Sequence, residues 1–505
     1  MRCFVVFAVV ALCWQCSEGP EPFLPKPVNE AVIGGLDSIY IIPPGASLDL
    51  RPEISFTLDP SPDSSRYRYE WIYVAKEGFN TGDEYTVIEE SPALTFSPSV
   101  VMGAYRLVFR VYDEETELFT EWPFKVFVAN EVYEGWMLLL EADGRTQLDM
   151  LSYQHDSKDY RLLTDVGSRY PNSKYTLTGV PKYIDFYGSF TDNMLDGGVV
   201  VGTSDGAFTF SSTELAIQSN IFLENMGAGH TVPPEAYAEA NFKGTWYVSF
   251  IAANNQLYSQ NESSYSGPKP FLPVYRPQEG EERIPLVASP HMAIDKNAFF
   301  YVSVFFDEEI DEFVWYTVND GCRRLAAGNT FERNKRWKLE MLDYATINGG
   351  TYTAIMRDEE TGELYVNQFT LREKLVFQKL DGAMVSDAEH WVTDPNTGRI
   401  YFCSNQTAIF EYHISSGQFK RVVDFGAAVT FLKFNSFLYL VPVSTGTTVS
   451  HSRYTHLQTC LLVGTYAPTQ QPIGGSFIVY DPVTKKEILR QDAIPKPIDA
   501  VYRER

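Results

Sequence analysis

Two cysteines three residues apart, Cys13 and Cys16 in "VVALCWQCSEG", close a short apolar run at the start of the chain. A cysteine in that place can carry a lipid and become the first residue of an exported protein. Phe4 to Leu12 is an unbroken apolar run. It is too short to span a bilayer, which takes roughly 20 residues, and it fits the apolar core of a secretory signal. Two endings compete. In one, Cys16 is lipidated, and Ser17-Glu18-Gly19-Pro20-Glu21 forms a solvated tether. In the other, cleavage follows Gly19, with Ser17 and Gly19 as the small residues. Gln15 counts against the first, because a small residue is usual there; Cys13, after Leu12, is a weaker acceptor.

Other reactive residue types are scattered. The seven histidines form no His-Glu-x-x-His, and the one Cys-x-x-Cys is the Cys13/Cys16 pair, so no zinc signature is present. The one Gly-x-Ser-x-Gly spacing, Gly202-Thr203-Ser204-Asp205-Gly206, falls in the strand–turn–strand "VVVGTSDGAFTF" rather than between a strand and a helix, so no nucleophile elbow is expected, and there is no phosphate-binding glycine loop. Neither a cofactor nor a catalytic set is expected. Asp307, Glu308, Glu309, Asp311 and Glu312 offer oxygen ligands of the kind calcium takes, but a solvated hairpin tip is the preferred reading, and no metal site is assigned. The most site-like segment is 254–285, "NNQLYSQNESSYSGPKPFLPVYRPQEGEERIP". It is long, polar and proline-rich, and its Tyr258, Tyr265, Phe271 and Tyr275 are candidate ligand-binding residues, because aromatic rings on a loop supply large contact area at low entropy cost. The alternative is an insertion that covers a neighbouring element.

These residues need a scaffold. A chain of 505 residues exceeds one ordinary core, so two or three domains are expected. The 31 Tyr and 34 Phe favour pleated, half-buried strands, and 34 Gly with 29 Pro punctuate them, so the chain reads as all-β. The net charge of −24 is spread along the chain and argues against nucleic acid as a partner, since phosphate binding needs clustered Lys and Arg. Three cysteines lie beyond the leader, Cys322, Cys403 and Cys460; a disulfide scaffold is not indicated, although one pairing among them stays open.

The expected organisation is a signal over 1–15, a tether and linker over 16–38, a β-sandwich over 39–130 and a β-propeller over 131–505. In the sandwich, the alternation in "YRLVFRVYD" puts Tyr105, Leu107, Phe109 and Val111 on one face, and Trp71 is the natural core plug. In the second region, strand–turn–strand units recur with turns at 143, 205, 254, 307, 358, 416 and 481, intervals of 62, 49, 53, 51, 58 and 65 residues. Four short strands with their loops need roughly 40–50 residues, so the recurrence suits propeller blades, seven with eight as the alternative. In "DEETGELYV" and "DPNTGRIYF", Asp358 and Asp394 can bind the backbone two residues on, with Gly362 and Gly398 supplying the left-handed conformation that closes the turn.

Over about 40–155, through Tyr69-Glu70-Trp71, Gly103-Ala104-Tyr105 and Gly135-Trp136, the chain resembles the PKD-like family lipoproteins of Bacteroidetes that accompany SusC/SusD-type outer-membrane importers. Where ordinary PKD repeats place Gly-Asp-Gly after the Trp, this sequence has Ile72-Tyr73-Val74. The resemblance implies surface exposure at the outer membrane through a lipid anchor only, a SusC/SusD-like importer as partner, and a non-catalytic binding or accessory role in uptake of peptide or oligosaccharide. A propeller hydrolase or lyase acting on the same material is the competing expectation. An exposed aromatic platform without clustered acids at the propeller mouth would favour binding; converging carboxylates or an Arg cluster there would favour chemistry. If Cys16 is the mature terminus, mass spectrometry of the exported protein will find a lipid-modified peptide beginning there; an unmodified terminus at Pro20 would rule out the anchor.

Overall fold

The computed structural model describes residues 28–504, except 64, 77–82, 99–102, 129, 155–156, 170–171, 192–193, 212–213, 227–230, 243–245, 264–269, 278–282, 296–301, 318–320, 326–330, 332–334, 438–451 and 471; of some strand residues it describes the backbone alone. Cys16 lies outside the described residues. Among them, no helix is long and apolar enough to cross a membrane. The chain divides into two compact units, up to Asn130 and from Glu131 onward.

The first unit is a β-sandwich. Its larger sheet has five strands in the order 39–42, 118–128, 103–113, 67–76 and 83–89, and the first pair is parallel. Two short pairs, 31–34 with 53–56 and 48–50 with 94–96, supply the rest. Tyr105, Leu107, Phe109 and Val111 all face the core, as strand alternation requires. Trp71 is fully buried, 4.4 Å from the Phe109 ring, and its indole N–H donates to the Ser91 carbonyl at 2.9 Å.

The second unit contains seven four-stranded antiparallel sheets among the described residues. The innermost strands, in chain order, are 181–191, 236–242, 293–294, 337–345, 389–393 and 428–434, and each lies beside the next. The ring is completed by the last strand, Lys496–Arg503, which pairs with Gly135–Ala142 and so becomes the innermost strand of the first blade. This is a seven-bladed propeller closed by pairing between the first and last strands of the unit. Seven apolar layers, one between each pair of neighbouring blades, make up its core.

The turns form as the residue types require. Asp143-Gly144 and Asn254-Asn255 all have positive φ, the geometry of a two-residue hairpin turn. Asp307, Asp358, Asp394 and Asp481 each accept a backbone N–H two residues on, at 2.8–3.1 Å. The unequal spacing of the turns also has a cause. The first five join the second and third strands of their blades, whereas "HISSGQ" and "DPVTKK" join the third and fourth. The equivalent inner hairpins of the last two blades lie at 404–408 and 466–475.

Around the closure, Glu134 is buried and accepts hydrogen bonds from Tyr454 at 2.6 Å and Tyr502 at 2.8 Å. Tyr502 stacks edge-on against Trp136 at 4.8 Å. Deleting 470–505 removes the closing strand and both outer strands of the seventh blade, and it takes Tyr502, one of the two tyrosine partners, from Glu134. The truncated chain should lose the propeller's cooperative thermal transition in calorimetry; retention of that transition would show that closure is dispensable.

Candidate functional site

The inner strands of a propeller present alternate side chains to the axis. Here they surround a cavity of about 290 Å³ to which all seven blades contribute. Its polar groups fall on two arcs. On the first, blades seven, one and two bring together Lys433, Asp499 and Asp185. The Lys433 ammonium lies 3.2 and 3.3 Å from the two Asp499 oxygens and donates to the Ile184 carbonyl at 3.2 Å. Asp499 also accepts from the backbone of Ile184 at 3.0 Å and of Ala500 at 2.8 Å. Burial opposes the Lys433 charge, but Asp499, and then Asp185, hold its pKa above that of a free lysine.

On the second arc, blades five and six place Asp343 beside Thr393, whose backbone N–H donates to the carboxylate at 2.7 Å. Burial pushes the Asp343 carboxyl up to about 6, with the Thr393 backbone and hydroxyl pulling the other way and no cation contributing. Next to it, burial and then Asp295 raise the Tyr344 hydroxyl. Tyr183 and Asn435 line the same cavity. The Asn435 side-chain oxygen accepts the Tyr502 N–H at 3.1 Å, which fixes the amide's orientation, and its Nδ2 has no protein partner among the described residues. The Tyr183 hydroxyl has none either. Its ring occupies the space that a Cβ on Gly202 would fill, 2.1 Å from the nearest ring carbon.

The aromatic candidates of the sequence are not in this cavity. Tyr258 and Phe271 are each 4% exposed and pack with Val200, Ile221 and Ile251 between the second and third blades. Tyr258 belongs to strand Gln256–Ser263 rather than to a loop, and its hydroxyl donates to Gln256 at 2.7 Å. The physical reason is that both faces of a blade are covered by its neighbours, so an aromatic on either face becomes core. Tyr275 is half-buried, bridged to Pro285 with the Arg283 guanidinium near its ring; Tyr265 lies outside the described residues. The acidic tip is tied down: Asp307 is fully buried and ion-paired with Arg276, which also holds Glu309 at 2.6 Å. Among the described residues no group of side chains has the arrangement of a metal site. Cys322, Cys403 and Cys460 are free thiols, each raised by burial to about 12.

A signal for the cavity does run through the sequence. Ile184-Asp185, Leu342-Asp343 and Ile498-Asp499 repeat one aliphatic–aspartate step on three inner strands, Ile294-Asp295 repeats it at the end of a fourth, and Leu432-Lys433 puts the cation at the same step. The repeat is only two residues long, so nothing marks it until the strands are aligned around the axis.

The PKD-like family model matches residues 26–172, the sandwich together with the first strands of the propeller. No curated protein matches the sequence. Among solved structures, the chain is similar to a quinonprotein alcohol dehydrogenase-like protein from Bacteroides thetaiotaomicron, at 12% identity over 92% of this chain and 97% of that one, TM-score 0.43. It is also similar to AztD from Citrobacter koseri, at 11% identity over 86% and 98%, TM-score 0.35. Likeness at this level says nothing of activity; the propeller is read from its own blades.

Asp343 gives this site a measurable signature. Because its folded pKa is raised from 3.8 to about 6, its contribution to stability is complete below the unfolded value and is lost as pH rises through about 6. Asp343→Asn keeps an oxygen for the Thr393 N–H and removes the charge. The variant should be more stable than wild type at pH 8, by about 1–2 kcal/mol after allowing for solvent screening, and the gain should vanish near pH 4. Thermal melts at the two pH values check this.

Proposed function

We propose that the chain is an exported outer-membrane lipoprotein, anchored through Cys16, that binds nutrient fragments beside a SusC/SusD-type importer without cleaving them. The axial cavity is its ligand site. The observation that carries this reading is the commitment of the cavity's charges. Lys433 is held by Asp499 and the Ile184 carbonyl, and Asp343 is held by the Thr393 backbone. No histidine or cysteine is among the described residues lining the cavity. A nucleophile needs a base within hydrogen-bond reach; the pair of that kind in the lining is Lys433 with Asp499, and there the carboxylate holds the lysine as a protonated ammonium, which is not nucleophilic. The cavity's volume is at the low end of the roughly 300–1,000 Å³ of small-molecule sites, so it suits a fragment rather than a polymer. The importer association rests on the sequence resemblance; the PKD-like match covers residues 26–172 and speaks to the sandwich.

One observation favours the competing hydrolase or lyase reading: Asp343, with its carboxyl raised towards neutrality, and Asp185 line one cavity. They stand on non-adjacent blades, five and two. The test is incubation of the purified protein with peptide and polysaccharide digests, followed by mass spectrometry of both the retained and the free material. Binding predicts retention of small fragments with unchanged masses. New, smaller products that accumulate with time, and that Asp343→Asn abolishes, would establish the enzyme instead.

A further inference from the structure

The axial cavity carries three carboxylates, Asp185, Asp343 and Asp499, against one ammonium, Lys433. The excess is negative, and a concave wall concentrates such a field. An anionic ligand is therefore disfavoured, since the one cation is already held by Asp499. Of the three acids, Asp343 is the one whose surroundings include no cation among the groups acting on it.

The neutral groups narrow the choice further. Asn435 is 2% exposed, and its Nδ2 carries two N–H donors with no protein acceptor among the described residues. A buried donor without a partner costs free energy and is ordinarily matched by water or ligand. The Tyr183 hydroxyl is in the same condition. These donors want acceptor oxygens, whereas Asp343 wants a cation. Tyr183, Phe186, Tyr237, Tyr344 and Phe434 add aromatic surface to the lining. A ligand that satisfies all of these has a ring with an apolar face, a rim of hydroxyls and one positive charge.

Resting on the binding reading above, we infer that the cavity takes a single amino-sugar-like unit, a cyclic polyol bearing a protonated amine, with the amine at Asp343 and hydroxyls at Asn435 and Tyr183. The amine and the Asp343 carboxylate form a charge-assisted hydrogen bond, which a neutral hydroxyl at the same carbon matches less well.

Three probes of nearly one shape test this: glucosamine, glucose and glucuronate, titrated calorimetrically into the full chain at neutral pH. The expected order is glucosamine tightest, glucose weaker by about tenfold, and glucuronate without measurable binding. In Asp343→Asn, glucosamine and glucose should bind alike. Tyr183→Phe keeps the ring over Gly202 and should weaken both about fivefold, the worth of one hydrogen bond. Thermal melts of each variant confirm that it is folded. Glucuronate binding as tightly as glucosamine, or a glucosamine preference that survives Asp343→Asn, would overturn the inference. If no sugar binds while digest fragments are still retained, the ligand class is wrong and the binding reading stands; if nothing is retained in either experiment, both fall.

Discussion

Closure of the ring through Lys496–Arg503 is the constraint on which the second unit depends. A sheet exposes unpaired backbone groups at its edges and apolar side chains on its faces. In a propeller the faces are covered only when every blade has two neighbours. The last strand joins residues 135–142 across almost the whole sequence length of the unit, and the first blade is therefore complete only with that strand in place. Buried Glu134, held by Tyr454 and Tyr502, reinforces the seam with polar contacts in the middle of an aromatic layer. A buried carboxylate that loses such partners is strongly unfavourable, so the seam specifies one closed register.

Closure also explains the composition. Seven inter-blade layers each need bulky residues from two facing sheets, and this is where much of the unit's Phe and Tyr goes. The apolar pairs along strands, such as Leu257 with Tyr258 or Phe305 with Phe306, have both neighbours buried because both faces are interior. In an open sandwich the same pairs would leave one residue in water. The sandwich of the first unit shows that contrast: its outer strand 83–89 leaves Tyr85 and Val87 exposed, while its inward face buries Trp71 and Phe109.

The axis is the one place in the propeller where blades meet without covering each other. The two polar arcs there are fixed by different means, a bidentate ion pair on one side and a backbone N–H on the other. Because each group sits on the strand nearest the axis of a packed blade, the geometry of the arcs is as rigid as the ring.

Local chemistry fixed much of this protein in its sequence. Strand alternation placed Leu107, Phe109 and Val111 on one buried face, aspartate and glycine set the turns at Asp358–Gly362 and Asp394–Gly398, and the recurrence of those turns pointed to seven blades. These are decided within a few residues, so they are legible there. What faces water is not. Tyr258 reads as a loop aromatic because its neighbours are polar, yet a strand and two blades bury it. Asp307 reads as a solvated acid, yet Arg276, from the connection that leads into its blade, pairs with it. Asp343, Lys433 and Asn435 are separated by up to 92 residues and become one site only when their blades are arranged around a common axis. Burial and convergence are properties of the closed ring, and tertiary structure alone decides them.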